Sequence, residues 1–537
     1  MSRFDYIIVG AGSAGCVLAN RLSEDGRHKV LLLEAGGDDR RFWITTPIGY
    51  GRTFYDPGVN WMYETAPDAG IGGRRSYWPR GKVLGGSSSI NAMVYVRGQR
   101  TDFDDWAAAG NPGWGWQDVL PYFRKMETNA LGPSELHGGD GPLNVVDIWR
   151  DRHPICDDYL AACNALGVPT VADINGAEAE CAGLYHITTR NGRRESSATA
   201  YLRPALGRPN LKVVTKAQVT RILMDQQRAI GIAYRRGQDE LTADCCGEVI
   251  LSAGAINSPQ LLQLSGIGPG NLLQRLGIPV LHDSPAVGQN LQDHLCVDFL
   301  FRARRPTLNN ELYPLLGKLR AGLRYLAFRR GPLALSLNQG GGFVRTRADL
   351  TRPNIQLYFS PVSYTKAPPR TRPLMNPDPF PGFLLGYSAC RPESRGSLEI
   401  ASPDPFSAPA IQPNYLSDPR DMTDMIEGWR YMRRLAATPA LSAAIERETA
   451  PGAACQSEAA IIDDIRSRAG SVFHPVSTCM MGPDPATAVV DAQLRVHGLS
   501  GLRVVDASVF PSVTSGNTNA PTIMLAEKAA DLIRGAA

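Results

Sequence analysis

The 537-residue chain, 43% hydrophobic and 20% charged, is long enough for two to four domains of about 150 residues each. Its composition excludes disorder, collagen and coiled coil. Lys+Arg 56 against Asp+Glu 52, a net charge of +4, leaves no broad basic footprint for nucleic acid.

In chain order, Phe4-Asp5-Tyr6-Ile7-Ile8-Val9 is an apolar run suited to a strand buried on both faces. It feeds Gly10-Ala11-Gly12-Ser13-Ala14-Gly15 and then a helical pattern from Cys16 to Leu22. Gly10 permits the tight turn, Gly12 clears backbone for a pyrophosphate, and Gly15 lets helix pack closely on strand. The next apolar run, 29–33, ends in Glu34, where a carboxylate accepts hydrogen bonds from ribose hydroxyls and disfavours a phosphorylated ribose. The pattern reads as a dinucleotide grip and leaves NAD and FAD open, since both share the adenosine diphosphate half.

The chain enters this strand at once, leaving no room for a signal peptide, and no apolar run nears the roughly 20 residues of a spanning helix. A cytoplasmic location is expected. Ten cysteines without a CxxC pair read as reduced, mostly buried thiols, and no metal site is expected.

Residues 77–98 combine Gly85-Gly86 with the hydroxyl run Ser87-Ser88-Ser89, many backbone donors for phosphate or ring oxygens. Residues 249–262 read as strand, small-residue turn and helix. Between 312 and 330, Leu312, Leu315, Leu316, Leu319, Leu323 and Leu326 fall at helical spacing among Lys318, Arg320, Arg324, Arg329 and Arg330. The favoured reading is a helix packed on its own domain. The other is a basic amphipathic helix on an anionic membrane, peripheral at the inner face. From Lys366 to Phe383, prolines 368, 369, 373, 377, 379 and 381 punctuate a loop bearing Leu374, Met375 and Phe380, suited to a pocket cover or an interface and equally to a surface excursion. His474 lies in a segment broken by Pro475 and Gly482, and on its own reads as a structural histidine. A last strand, 502–508, precedes Ser515-Gly516-Asn517-Thr518-Asn519, which opens a helix to about Ile533.

Together with Gly288-Gln289-Asn290-Leu291-Gln292-Asp293-His294, these segments occur in the order of the glucose-methanol-choline (GMC) family of FAD-dependent oxidoreductases, which the whole chain resembles. Within that family it is similar to bacterial dehydrogenases of aliphatic alcohols. The resemblance implies an α/β fold: a Rossmann-like FAD-binding domain from 1–155, 206–298 and 471–537. Interleaved with it is an α+β substrate domain, an antiparallel sheet covered by helices, from 156–205 and 299–470.

The resemblance also implies FAD contacts from Gly10, Gly12, Ser13, Ala14, Gly15, Glu34 and Ala35; from Arg80, Val83, Gly86, Ser87, Asn91, Ala92, Met93 and Val94; and from Val219, Ala253, Asp506, Ala507, Asn517 and Thr518. It makes His474 the base that removes the alcohol proton. Asn519 aligns as its partner, with Asn517 the adjacent alternative; the same segment is expected to cap the last helix. His294 reads as structural. Members that tether FAD do so through a histidine before the loop Asn; here Ile90 precedes Asn91, so non-covalent FAD is expected. Ser477 and Met480 stand where relatives commonly carry Gly and a basic residue.

The implied activity is oxidation of a primary alcohol to an aldehyde, with electrons passed to a quinone, or to oxygen in an oxidase. The rivals are a hydroxynitrile lyase, which shares the fold and a histidine, and a flavin-binding protein without turnover.

Overall fold

The computed structural model describes residues 3–364 and 376–535. Two sheets organise the chain, and neither is built from one continuous stretch. In the first, parallel strands run in the order Leu211–Thr215, Val30–Glu34, Arg3–Val9, Asp239–Leu251 and Leu502–Val504. Val30–Glu34 is buried throughout, as a strand covered on both faces must be. The long strand Asp239–Leu251 also pairs, through its first half, with the antiparallel strand Arg228–Arg236, which pairs in turn with Ala217–Asp225.

Between Arg3–Val9 and Val30–Glu34 in the chain lies the helix Ser13–Leu22. Its approach to the sheet depends on Gly15, where a Cβ would stand 1.9 Å from the carbonyl oxygen of Gly10. The same helix packs against the last one, Asn519–Arg534. Arg21 donates to the fully buried carboxylate of Glu527 at 2.8 and 2.9 Å, and Tyr201 donates to it at 2.9 Å. The terminal helix is thus held beneath the glycine turn, as the expected helix to about 533 requires.

The second sheet is mostly antiparallel: Ile445–Ala450, Leu295–Ala303, Gly382–Ala389, Ile355–Ser360, Gly340–Val344, Cys181–Leu184 and Thr170–Val171, with Gly470–Ser471 beside Leu295–Ala303. Helices Pro419–Ala436 and Ile155–Ala165 cover one face. The strand period of two divides Leu295–Ala303 cleanly: Val297, Phe299 and Phe301 enter the core, where Phe299 meets Trp429 edge-on. Cys296, Asp298 and Leu300 face the opposite way, into a cavity between the sheets.

Residues 315–328 form a helix, but its leucines do not pack on the domain. Ala321 and Tyr325 are its buried positions, while Leu315, Leu316, Leu319, Leu323 and Leu326 point outward. Of the proline-rich stretch, residues 366–375 lie outside the described residues; beyond them Pro377 bridges Tyr364, and the Arg302 guanidinium lies over Phe380. No helix among the described residues is long and apolar enough to cross a membrane.

Candidate active site

One cavity of about 820 Å³ runs between the two sheets. Four segments distant in sequence line it: Gly10 to Glu34, Arg80 to Val94, Ser252 to Asn257, and Asp506 to Asn519. Two of the expected contact residues stand back from it. Gly15 serves the helix–strand approach, and the Val83 side chain packs with Ile44, Val59 and Ile90. The other expected positions all border the cavity.

The cradle at one end fits a dinucleotide. A Cβ on Gly86 would lie 2.7 Å from Gly12 Cα, and one on Gly10 would lie 2.6 Å from the carbonyl oxygen of Ser252, so bare backbone closes on bare backbone. A Cβ on Gly12 would meet nothing nearer than 3.8 Å, which leaves that peptide open to a phosphate. Gly10, Gly85 and Gly86 have φ of +98°, +86° and +53°, a conformation glycine adopts without steric cost. The Glu34 carboxylate accepts from the Ala11 and Gly36 amides at 3.0 and 2.7 Å, and burial pushes its pKa up to about 7. Its remaining lone pairs suit ribose hydroxyls.

At the other end stands His474, held by its surroundings in one orientation. Its backbone N–H donates to Asp293 Oδ1 at 2.7 Å. Asp293 also accepts from the hydroxyls of Ser471 and Tyr415. Arg80 donates to the Phe473 carbonyl at 2.7 Å. Phe473 and Ser477 have φ of +69° and +73°, rare for side-chain-bearing residues. The second value explains why glycine suits position 477, where this chain carries Ser.

The hydrogen bonds decide which nitrogen of His474 is free. His294 Nε2 lies 3.0 Å from the Cys390 carbonyl oxygen, which only accepts, so that nitrogen carries a proton. Burial holds the His294 pKa down at about 4, so the ring is neutral and its Nδ1 keeps a lone pair. Nδ1 of His474 lies 2.9 Å from that lone pair and therefore donates to it. Nε2 of His474 is left unprotonated at the cavity, where the Asn517 amide donates to it at 3.1 Å. Gln356 Nε2 donates to Asn517 Oδ1 at 3.5 Å, fixing which way the amide faces. Burial first, then His294 and the Arg80 cation, drives the His474 pKa well below the usual imidazole range.

Three expectations are corrected here. Asn519, expected to partner His474, donates to Ser13 Oγ at 2.8 Å and ties the last helix to the glycine turn. Asn517 takes the place beside His474, because Gly516 turns the chain at φ +102° ahead of the helix. Nor does a side chain cap this helix: Thr518 is the N-cap residue without a side-chain bond, and its carbonyl accepts from the Thr522 hydroxyl at 2.7 Å. His294, read as structural, proves to touch the site. Its place directly after Asp293, within Gln292-Asp293-His294, was the available signal, since Asp293 binds the His474 amide.

Among the described residues no group of three or more His, Cys, Asp or Glu side chains is placed to hold a metal ion.

Fold and cavity together define a dinucleotide-dependent oxidoreductase architecture, and comparison with known proteins makes it specific. The chain matches GMC oxidoreductase over residues 4–296 and again over 392–526. It is 43% identical to the alcohol dehydrogenase [acceptor] of Pseudomonas putida, covering 99% of this chain and 95% of that one. It is 44% identical to the oxygen-dependent choline dehydrogenase of Vibrio vulnificus, covering 99% and 94%. Among solved structures, pyridoxine 4-oxidase from Mesorbium loti superimposes with a TM-score of 0.88 at 32% identity, covering 98% of each chain. The chain belongs to the GMC oxidoreductase family, whose members are FAD-dependent and act on CH–OH groups.

Proposed function

We propose that the protein is an FAD-dependent alcohol dehydrogenase that oxidises a primary alcohol to the aldehyde. The observation that carries this reading is the unprotonated Nε2 of His474, facing the cavity beside the Asn517 amide. When bound, FAD supplies the acceptor for the hydride leaving the alcohol carbon. Gly10, Gly12, Glu34, Gly86 and the 517–519 segment would hold it.

His474 Nε2 takes the hydroxyl proton, which lets the carbon release its hydride; a positioned base contributes about 10²–10⁴-fold. The buried, neutral ring remains a base down to low pH, because protonated imidazole is poorly solvated there. Asn517 Nδ2 donates to His474 Nε2 at 3.1 Å and would turn its N–H to the alkoxide as that nitrogen takes the proton, an amide being no competitor for it. His294 acts through His474, as a positioning residue that keeps the proton on Nδ1. Leu300, Leu384 and Phe473 in the cavity wall suit the carbon chain of an aliphatic alcohol.

FAD is held without a covalent bond, since Ile90 occupies the position from which relatives tether it and offers no nucleophile. All ten cysteines are thiols and most are buried, in keeping with a reducing, cytoplasmic setting. The electron acceptor is a quinone, or oxygen in the oxidase reading.

An alcohol panel read by anaerobic flavin bleaching tests the reaction. The same panel with oxygen or a quinone tests the acceptor, and rapid hydrogen peroxide formation would replace the dehydrogenase reading by the oxidase one. Cleavage of a cyanohydrin with no alcohol bleaching the flavin would replace both by a lyase.

A further inference from the structure

The helix Leu315–Phe328 is amphipathic in the wrong sense for a helix that stabilises its own domain. It meets the body of the protein through Ala321 and Tyr325. On the opposite side, Leu315, Leu319, Leu323 and Leu326 form a stripe at helical spacing, exposed by 75%, 56%, 68% and 58%. Leu316 extends it at 78%, and Phe328, at the end of the helix and on another side of it, is exposed by 73%. A soluble surface scatters single apolar residues, whereas a continuous outward stripe of this kind marks a contact surface.

Its charges identify the partner. The helix contains no acidic residue, and exposed Lys318, Arg320 and Arg324 lie beside the stripe, with Arg330 just beyond its end. Arg324 reaches Asp151 at 3.6 Å, so one cation is partly neutralised within the fold. An apolar ridge edged by cations is complementary to a bilayer, whose acyl boundary takes the leucines while anionic headgroups meet the lysine and arginines.

The ridge also adjoins the cavity. After Gly331, at φ +85°, the chain passes through Pro332–Ala334 to Leu337, whose N–H donates to the Tyr50 hydroxyl at 3.2 Å. Tyr50 and the next residue, Asn338, both line the cavity.

We propose that the Leu315–Phe328 ridge docks the protein on an anionic lipid bilayer, bringing the cavity wall at Tyr50 and Asn338 to the membrane surface. The surface is independent of which alcohol is oxidised. It is tested by co-sedimentation of the FAD-loaded protein at low salt. The vesicles are phosphatidylcholine alone, or phosphatidylcholine and phosphatidylglycerol in equal parts.

The expected result is binding to the mixed vesicles that weakens with salt and falls about tenfold or more in R320E/R330E and in L319S/L323S. These side chains are exposed, so FAD content and melting temperature should match the unaltered protein, separating lost docking from lost folding. Three results would overturn the proposal: no binding to mixed vesicles, variants that bind as well as the parent, or a dimer in solution dispersed by L319S/L323S, which would make the ridge an interface between copies.

Discussion

Nδ1 of His294 and Nδ1 of His474 stand 2.9 Å apart, and one proton lies between them. Because His294 spends its other N–H on the Cys390 carbonyl, that proton belongs to His474. The relationship sets the tautomer of the proposed base without a carboxylate, the group that most often orients a catalytic histidine.

Replacing His474 by Ala should slow anaerobic reduction of the flavin by alcohol about 10²–10⁴-fold while FAD remains bound. Stopped-flow bleaching and the bound-flavin spectrum measure the two effects separately. Unchanged reduction would remove His474 from the chemistry.

The two asparagines should separate. Asn517→Ala removes a donor to the reacting centre and is expected to lower kcat about 10²-fold with little loss of FAD. Asn519→Ala breaks the tie to Ser13 and should act on FAD retention instead. Equal effects of the two on kcat would contradict the assignment.

For His294, replacement by Leu leaves the His474 Nδ1–H without an acceptor, so both tautomers become accessible and kcat falls. Gln at the same position keeps an accepting oxygen and should recover part of the loss. KM should move little in either variant, since His294 is not among the residues lining the cavity. A loss in His294→Leu that appears only in FAD content or melting temperature would assign the residue a purely structural role.

Burial makes stability depend on pH. An unfolded histidine titrates near 6.5, whereas His294 in the fold titrates at about 4. Between these values the unfolded chain binds more protons, so stability is full above 6.5 and is lost as pH falls toward 4. The slope from His294 approaches about 1.4 kcal/mol per unit. His474, also depressed, adds a contribution of the same sign. Urea midpoints at pH 7 and pH 5 should show the decline, and it should be shallower in His294→Gln. On the kinetic side, the acid limb of kcat/KM should lie below 6.5.

Gly15→Ala places a Cβ 1.9 Å from backbone oxygen that cannot move without opening the glycine turn. Expression of a soluble, FAD-loaded protein with unchanged melting temperature would contradict this account of the helix–strand approach.

Much of this was written in local pattern. The buried strands Arg3–Val9 and Val30–Glu34, the glycine turn between them and the closing helix are each specified by neighbours within a few residues, so their periodicity and glycine spacing announce them. His474 was legible through its segment. The choice between Asn517 and Asn519 was not, because two amides two residues apart are chemically alike. It is Gly516 and the first turn of the helix that send one to His474 and the other to Ser13.

The basic leucine-rich helix shows the same division. Composition and spacing along 312–330 determined that an amphipathic helix would form, since both are properties of the segment itself. Which side it would turn inward was settled by the body it meets: Ala321 and Tyr325 are buried against it, and the leucines are left outside. Likewise the residues of a dinucleotide grip and a histidine base were present in the sequence. That His294 should hold the proton of His474 across 180 positions was decided by the tertiary structure alone, because a hydrogen bond depends on where two atoms stand and not on how far apart they are in the chain.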